Sequence, residues 1–389
     1  MVRIVVALML FGALSWAIVR VNLPLGMAAN GNALPAWRTF PGSAKAASVA
    51  ARELLIAGKA AAAVVPARSA LAVAPVDQRA LTTVALAENG PAIVKRMELS
   101  AALGWRDRLT QLWLADAALA SDQPNLFAQR VVAVARQTGN LSTLTPILDY
   151  AVARPAIRTA LLPYLRSASR WRAGYLNSDP GSRAAAQSRV LLLDRMRRMG
   201  IVVPASDVTQ IVRYLVHYDL PNDAYAVWRA HLDQPQFAGV LYDGRFEHIA
   251  IEGEVSPFQW TTLANPVGYV VQEGKALHVQ QDQPSVKPLL RQSLRLSTGR
   301  YRLQWQIAGG PANEASTRGM PFSWEIDCTG RLLTDPDQIP HLLVSGQFAV
   351  NVDVAEPCPR ADLTLKSRVD IDGSARREAY ITQVELVKR

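Results

Sequence analysis

The sequence predicts a multidomain fold: an N-terminal transmembrane or signal helix, an all-α array of helical hairpins, and a C-terminal all-β sandwich. Three observations carry this. Residues 4–19 are sixteen uncharged, mostly apolar residues between Arg3 and Arg20. From residue 43 to 236, apolar side chains recur at helical spacing. Beyond residue 236 the pattern changes to short alternating runs separated by turn formers. A chain of 389 residues suits two to three domains, at roughly 100–200 residues each.

The N-terminal run, IVVALMLFGALSWAIV, matches the hydrophobic region of a signal sequence and is short for a spanning helix, which needs about 20 residues. Segment 1–25 is read as an uncleaved anchor, with Arg3 inside, Arg20 snorkelling to the outer interface, and residues 21–25 extending the apolar length. A cleaved signal is the alternative, with Gly26-Met27-Ala28-Ala29 as a poor cleavage site, and a buried first helix is the third reading. The first two place the bulk of the chain in a bacterial periplasm. The expected localisation is thus the inner membrane as a single-pass protein, or secreted or periplasmic after cleavage. Residues 26–42 contain NGNALPAWRTFPG and read as a turn-rich linker.

Residues 43–236 form the expected helical domain. The first stripe in SAKAASVAARELLIAG places Ala46, Val49, Ala50, Leu54 and Leu55 on one side and stops at Gly58. A break follows at Pro75, and Asp77 stands where an acid favours the first turn of the next helix. Further helices are expected over 92–103, 106–120, 125–137, 141–153, 156–167, 184–199, 206–218 and 222–232. Their short connections predict stacked helical hairpins.

From residue 237 to 389 the expected strands cover 269–272, 276–280, 289–296, 301–307, 322–327, 342–344, 348–352, 363–369 and 379–386. A hairpin over 294–305 is expected to turn at Ser297-Thr298-Gly299-Arg300. Many short strands without interleaved helices predict one β-sandwich. Cys328 and Cys358 fall in this part, 30 residues apart. In an oxidising compartment a disulfide between them would contribute about 3–4 kcal/mol by loop entropy; two unpaired thiols in a sheet core are the alternative.

Charge excludes one function class. The net +10 divides into +2 over residues 1–30, +10 over residues 31–236 and −2 over residues 237–389. Of the 42 basic residues 35 are Arg, a bias that reflects base composition more than a phosphate-binding surface, and no nucleic-acid partner is expected. The densest basic patch is Arg183, Arg189, Arg195, Arg197 and Arg198, preceded by Arg166, Arg170 and Arg172. It reads as a solvated helix face or as a surface for anionic lipid headgroups or acidic polysaccharide.

Two resemblances refine the picture. The pattern Ala70-Leu71-Ala72-Val73-Ala74-Pro75, then Ala80-Leu81 and Ala85-Leu86, resembles a tetratricopeptide hairpin followed by the next first helix. Ala101-Ala102-Leu103-Gly104 and residues 117–122 repeat it at drifting spacing, so the repeats are degenerate. This resemblance covers at most residues 44–235 and implies a protein-interaction surface; the alternative is a plain helical spacer. In the C-terminal part, Leu241-Tyr242-Asp243-Gly244-Arg245-Phe246-Glu247 and Pro257-Phe258-Gln259-Trp260 resemble the opening of jelly-roll carbohydrate-binding modules of the galactose-binding-like superfamily, of the family 4 and 9 type. Residues 276–279, 292–303 and 379–386 continue the resemblance to the end of the domain. It implies a jelly roll and a glycan ligand. Such modules often hold a structural calcium, for which Asp243 and Glu247 offer oxygen ligands, although Gln383 stands where a last-strand aspartate would be.

A sugar site needs exposed rings for stacking and polar groups for hydroxyls. The candidates are Trp260, Trp324 and Tyr269 with Arg302, Gln304 and Gln306. Trp305 shares a face with Leu303 and Ile307 and reads as core. Catalytic signatures are absent from the sequence; Glu252 with Glu254 and Asp335 with Asp337 are close carboxylate pairs, and they read as acidic loops. The expected function is therefore a non-catalytic accessory protein that binds or helps assemble an envelope or secreted exopolysaccharide. The alternatives are a tetratricopeptide-type protein scaffold of the cell envelope with a structural β domain, and a glycan-processing enzyme.

Overall fold

The computed structural model describes residues 2–138, 141–167, 169–232, 237–249, 255–263, 268–273, 276–281, 286–308, 322–334, 340–344, 346–367 and 378–389. Helices fill its first part: α1 (Val2–Ala29), α2 (Ala33–Thr39), α3 (Ala44–Ile56), α4 (Ala60–Val73), α5 (Gln78–Glu88), α6 (Ile93–Ala102) and α7 (Arg108–Ala120). They continue as α8 (Pro124–Gln137), α9 (Thr145–Val152), α10 (Pro155–Leu165), α11 (Arg170–Leu176), α12 (Arg183–Arg198), α13 (Ala205–His217) and α14 (Pro221–Ala230). An N-terminal helical array followed by a two-sheet β-sandwich is thus the architecture. The chain divides into two compact units, Met1–Leu144 with Pro155–Tyr164, and Thr145–Arg154 with Leu165–Arg389. The division does not coincide with the change from helix to strand.

The expected membrane helix is corrected. Among the described residues, no helix is long and apolar enough to cross a membrane. The sequence of α1 is interrupted by Arg20, Asn22 and Pro24. Its end belongs to the helical array: Ala28 is buried with Ala33, Ala36, Ala46 and Ala50, and Met27 packs against the same cluster. The single-pass inner-membrane localisation and the membrane as a partner through the N-terminus fall with it. Residues 26–42, expected as a linker, hold the last turn of α1 and all of α2.

Three helices of the first unit start at side-chain caps. Ser43 accepts from the Ala46 N–H, Asp77 from Ala80, and Asp107 from Thr110, each satisfying a donor that the first turn leaves free. Alanines at the contacts of α3, α4 and α5, including Ala47, Ala51, Ala67, Ala70 and Ala80, are fully buried. Their small side chains let the helix backbones approach closely. A polar network adds specificity among α3, α5, α6 and α7. Thr82 Oγ1 lies 2.8 Å from Ser100 Oγ and 2.5 Å from Thr110 Oγ1. Thr110 donates to Asp107 at 2.6 Å, and Asp107 accepts from Arg52 at 2.9 Å. Burial pulls the Arg52 pKa down against the raising effect of Asp107.

In the second unit the strands are β1 (Phe237–Ala238), β2 (Leu241–Tyr242), β3 (Thr261–Thr262), β4 (Gly268–Glu273), β5 (Ala276–Gln281), β6 (Pro288–Leu296) and β7 (Gly299–Ile307). After them come β8 (Phe322–Cys328), β9 (Arg331–Leu332), β10 (His341–Val344), β11 (Gln347–Val354), β12 (Cys358–Ser367) and β13 (Glu378–Lys388). One sheet has the order β10-β11-β7-β13-β5-β4, the other β3-β6-β12-β8-β9, with β1-β2 as a separate ribbon. The expected hairpin over 294–305 is corrected. β6 pairs with β3 and β12, whereas β7 pairs with β11 and β13. Ser297-Thr298 is therefore a corner at which the chain changes sheets. Tyr301 fixes it: the Ser297 N–H donates to its hydroxyl at 3.1 Å, and that hydroxyl donates to the Ser297 carbonyl at 2.9 Å.

Inner faces of both sheets supply the core, with Leu303, Trp305, Phe348, Val352 and Leu386 on one side and Leu290, Leu294, Ile326 and Leu363 on the other. Cys328 and Cys358 form a disulfide, joining β8 to β12. Gly239 has φ +69°, and a Cβ there would stand 2.1 Å from the Leu386 carbonyl oxygen. The close bridge to β13 requires glycine.

Candidate functional site

Strand alternation on β7 separates two sets of side chains. Tyr301, Leu303, Trp305 and Ile307 enter the core, which leaves Arg302, Gln304 and Gln306 on the outer face of the six-stranded sheet. Register places Asn351, Ala349 and Gln347 of β11 on one side of this row. Val387, Glu385 and Gln383 of β13 flank it on the other. Gln304 Nε2 donates to Glu385 Oε2 at 2.7 Å, while Gln306 is exposed. Farther across the same sheet, the rings of His278 and Tyr380 stack at 4.4 Å and 7°. The Glu378 carboxylate lies 3.6 Å from His278. This is an open, amide-rich face capable of bonding hydroxyl groups.

The two candidate tryptophans are not on it. Trp260 is 2% exposed, its ring 5.5 Å from Phe246 and 6.0 Å from Trp324, and its indole N–H donates to the Asp243 carbonyl at 2.9 Å. Trp324 alternates with Ser323 and Glu325 so that it enters the core beside Phe322 and Ile326. Both expectations of a sugar-stacking ring are corrected, because the hydrophobic gain of burying an indole fixes each in the sandwich interior. Tyr269 is on β4, the sheet-edge strand, and its side chain lies outside the described residues. Glu252, Glu254, Asp335 and Asp337 lie outside them too.

Asp243, a weak calcium candidate on the resemblance alone, has a structural task. Its backbone is left-handed at φ +54°, and the side chain is buried. One carboxylate oxygen accepts the N–H of Glu247 and the other that of His248, each at 2.8 Å. The carboxylate therefore closes a loop by holding backbone dipoles. Burial pushes its pKa up in spite of those two bonds. Glu247 points to solvent. Among the described residues no group of three or more His, Cys, Asp or Glu side chains is arranged to hold a metal ion.

No family model and no curated protein sequence matches the chain.

The basic patch also divides. Arg183, Arg195, Arg197 and Arg198 are exposed on α12, but Arg189 is 1% exposed and is withdrawn from the patch. Its guanidinium grips Asp149 of α9 by two bonds, Nε to Oδ1 at 2.8 Å and Nη2 to Oδ2 at 2.9 Å. Tyr175 of α11 donates to the same carboxylate at 2.7 Å, and Arg189 also donates to the Ser178 carbonyl. Burial opposes charge on Arg189, but the bond to Asp149 and the charges and bonding of Tyr175 and Asp149 together outweigh it and leave the Arg189 pKa raised. The Tyr175 hydroxyl is pushed well up by burial, then by the adjacent Asp149 charge. The group is a fully paired structural pin. It escaped the sequence reading because its partners are far apart in the chain. The one available signal was Arg189's place on the apolar stripe of α12 with Leu192, Leu193 and Met196.

Proposed function

We propose that the protein is a non-catalytic protein–protein scaffold, with degenerate tetratricopeptide-like hairpins supplying the binding surfaces and the β-sandwich acting as a structural domain. The observation that carries this reading is where the large apolar side chains fall. In the β-sandwich Trp260, Trp305 and Trp324 are all committed to the core. In the helical region, Val94, Leu99, Leu103 and Trp105 are exposed, as are Leu191, Met199 and Val202, a larger set among the described residues than the sandwich's Val286, Leu332, Leu343 and Val344. Exposed apolar groups are the ordinary currency of protein contacts. The Cys328–Cys358 disulfide supports work in an oxidising compartment. Cross-linking of the tagged full chain in its source cells, followed by mass spectrometry, tests the reading. Reproducible protein adducts on helical surfaces are expected, and their absence at every helical position rejects it.

A second reading rests on the amide row of the six-stranded sheet. On this view the chain binds a bacterial polysaccharide without turning it over, and the β-sandwich is a jelly roll of the carbohydrate-binding kind. Arg302, Gln304 and Gln306 would bond hydroxyls from an open face, without a ring beneath the sugar. Affinity electrophoresis of the full chain against acidic and neutral polysaccharides is the test. Retardation that weakens in an Arg302→Ala, Gln306→Ala double variant supports it, and no retardation on any polysaccharide removes it.

A further inference from the structure

Deepening the scaffold reading, on which it rests, we propose that the C-terminal half of α12 and the segment after it form a docking surface for an acidic amphipathic segment of a partner protein. The sequence alone suggests only a solvated basic helix face there. The structure adds the apolar component and the means by which it is held outward.

Leu191, Arg195, Arg198 and Met199 follow one another at intervals of four, three and one residues, so they share one face of α12. Leu191 and Met199 are both close to half exposed. The opposite face, with Leu192, Leu193 and Met196, is buried, so the helix cannot turn its apolar groups inward. Gly200 at φ +66° ends the helix, and the Ile201 N–H returns to the Met196 carbonyl at 2.9 Å. This closure is of the Schellman type. It sends Ile201 and Val203 inward and leaves Val202 between them at 82% exposure, the highest of any large hydrophobic among the described residues. Buried Arg172 anchors the segment. One of its nitrogens lies 3.0 Å from the Leu165 carbonyl and 3.5 Å from that of Val202.

Charge identifies the occupant. Asp194 is shared by Arg197 and Arg198 at 3.1 and 2.8 Å. Arg195 has no carboxylate partner among the described residues, so three cations of α12 stand against that single acid. A surface with protruding apolar side chains and uncompensated guanidinium groups fits a segment that offers leucine-like side chains with Asp or Glu about one turn away. A lipid surface fits less well, since the apolar groups are three isolated side chains and the continuous apolar stripe of α12 faces the core.

A photo-cross-linking amino acid placed at Leu191 and, separately, at Val202 of the full chain, expressed in source cells, tests this; Leu99 serves as a comparison site. The expected result is a protein adduct at both α12 positions whose sequenced cross-linked segment is acidic and amphipathic. Adduct yield should fall about tenfold in an Arg195→Glu, Arg198→Glu background, as expected for reversed rim charges, and, with the probe at Val202, also in Leu191→Ser, Met199→Ser. Both double variants must keep the parent far-UV circular dichroism and melting temperature. Adducts at Leu99 alone would overturn the docking surface and leave the scaffold reading intact. Protein adducts at none of the three positions would count against both. An adduct to lipid, to a basic segment, or one indifferent to charge reversal would overturn the proposal.

Discussion

At the scale of single residues, the pair Asp149–Arg189 is sensitive to the loss of either partner alone. Both side chains are almost wholly buried, so deleting one strands a charge without solvent. Arg189→Met should therefore cost about 3–5 kcal/mol in urea unfolding, whereas Arg189→Met with Asp149→Leu should recover much of the loss. A single variant as stable as the parent would contradict the assignment. Exposed pairs behave differently. The Glu88 carboxyl is held below its ordinary pKa first by its bond to Arg96 and then by that to Arg68. The folded chain thus binds this proton less readily than the unfolded chain. Its contribution is present above the unfolded carboxylate pKa and is lost as pH falls through the lowered folded value. Melting temperatures of the parent and Glu88→Gln should differ slightly at neutral pH and converge in acid; a difference that grows in acid would reverse the sign. Neither pairing was legible in the sequence, because Asp149 and Arg189 belong to helices far apart in the chain and nothing local marks them as partners.

Elements were legible to the extent that their periodicity was uninterrupted. Alternation over 301–307 correctly separated core residues from outer ones on β7. It carried no information about which strand lies alongside, so the segment from β6 to β7 read as a hairpin although it joins two sheets. Trp324 was misread for a related reason: alternation assigns side chains to two faces, and only the packing partner decides which is core; Trp260 stands in the irregular segment before β3, where alternation does not apply. Short elements escaped altogether. α2 has seven residues in a turn-rich segment, and β1, β2, β3 and β9 have two residues each. Gly239 shows how strongly a short element can be constrained. Gly239→Ala must either move the β13 backbone or leave its left-handed conformation, and a loss of about 1–3 kcal/mol is expected from strain of this kind. Hydrogen exchange should show the loss locally, with faster exchange of the Val240 amide, which donates to the Leu386 carbonyl. Unchanged protection at Val240 would show that the bridge is dispensable.

The whole molecule presents a sharper contrast with its sequence, whose most visible boundary lies at residue 236. There helical periodicity ends and net positive charge gives way to a slight negative one. The compact unit nevertheless begins earlier, and its aromatic contacts show why. Trp228 of α14 packs against Phe258 and Tyr242 at 5.3 Å each, and against Phe237 at 6.1 Å. Its burial is shared by a helix and the opening of the β-sandwich, so a cut between them exposes aromatic surface on both sides. Asp149 of α9 is needed in turn to neutralise Arg189 of α12. A fragment of residues 145–389 keeps both sets of contacts. One of residues 165–389 keeps the Trp228 cluster but strands Arg189, and one of residues 237–389 loses Trp228 entirely. The longest fragment should therefore show the highest melting temperature, with cooperative unfolding by near-ultraviolet circular dichroism. Trp228→Ala in the full chain should destabilise the β-sandwich by about 3–5 kcal/mol, the range for removing a buried aromatic ring. If residues 237–389 melted at the same temperature as residues 145–389, the boundary written in composition would also be the thermodynamic one, and α14 would be an attachment to the sandwich without a share in its stability.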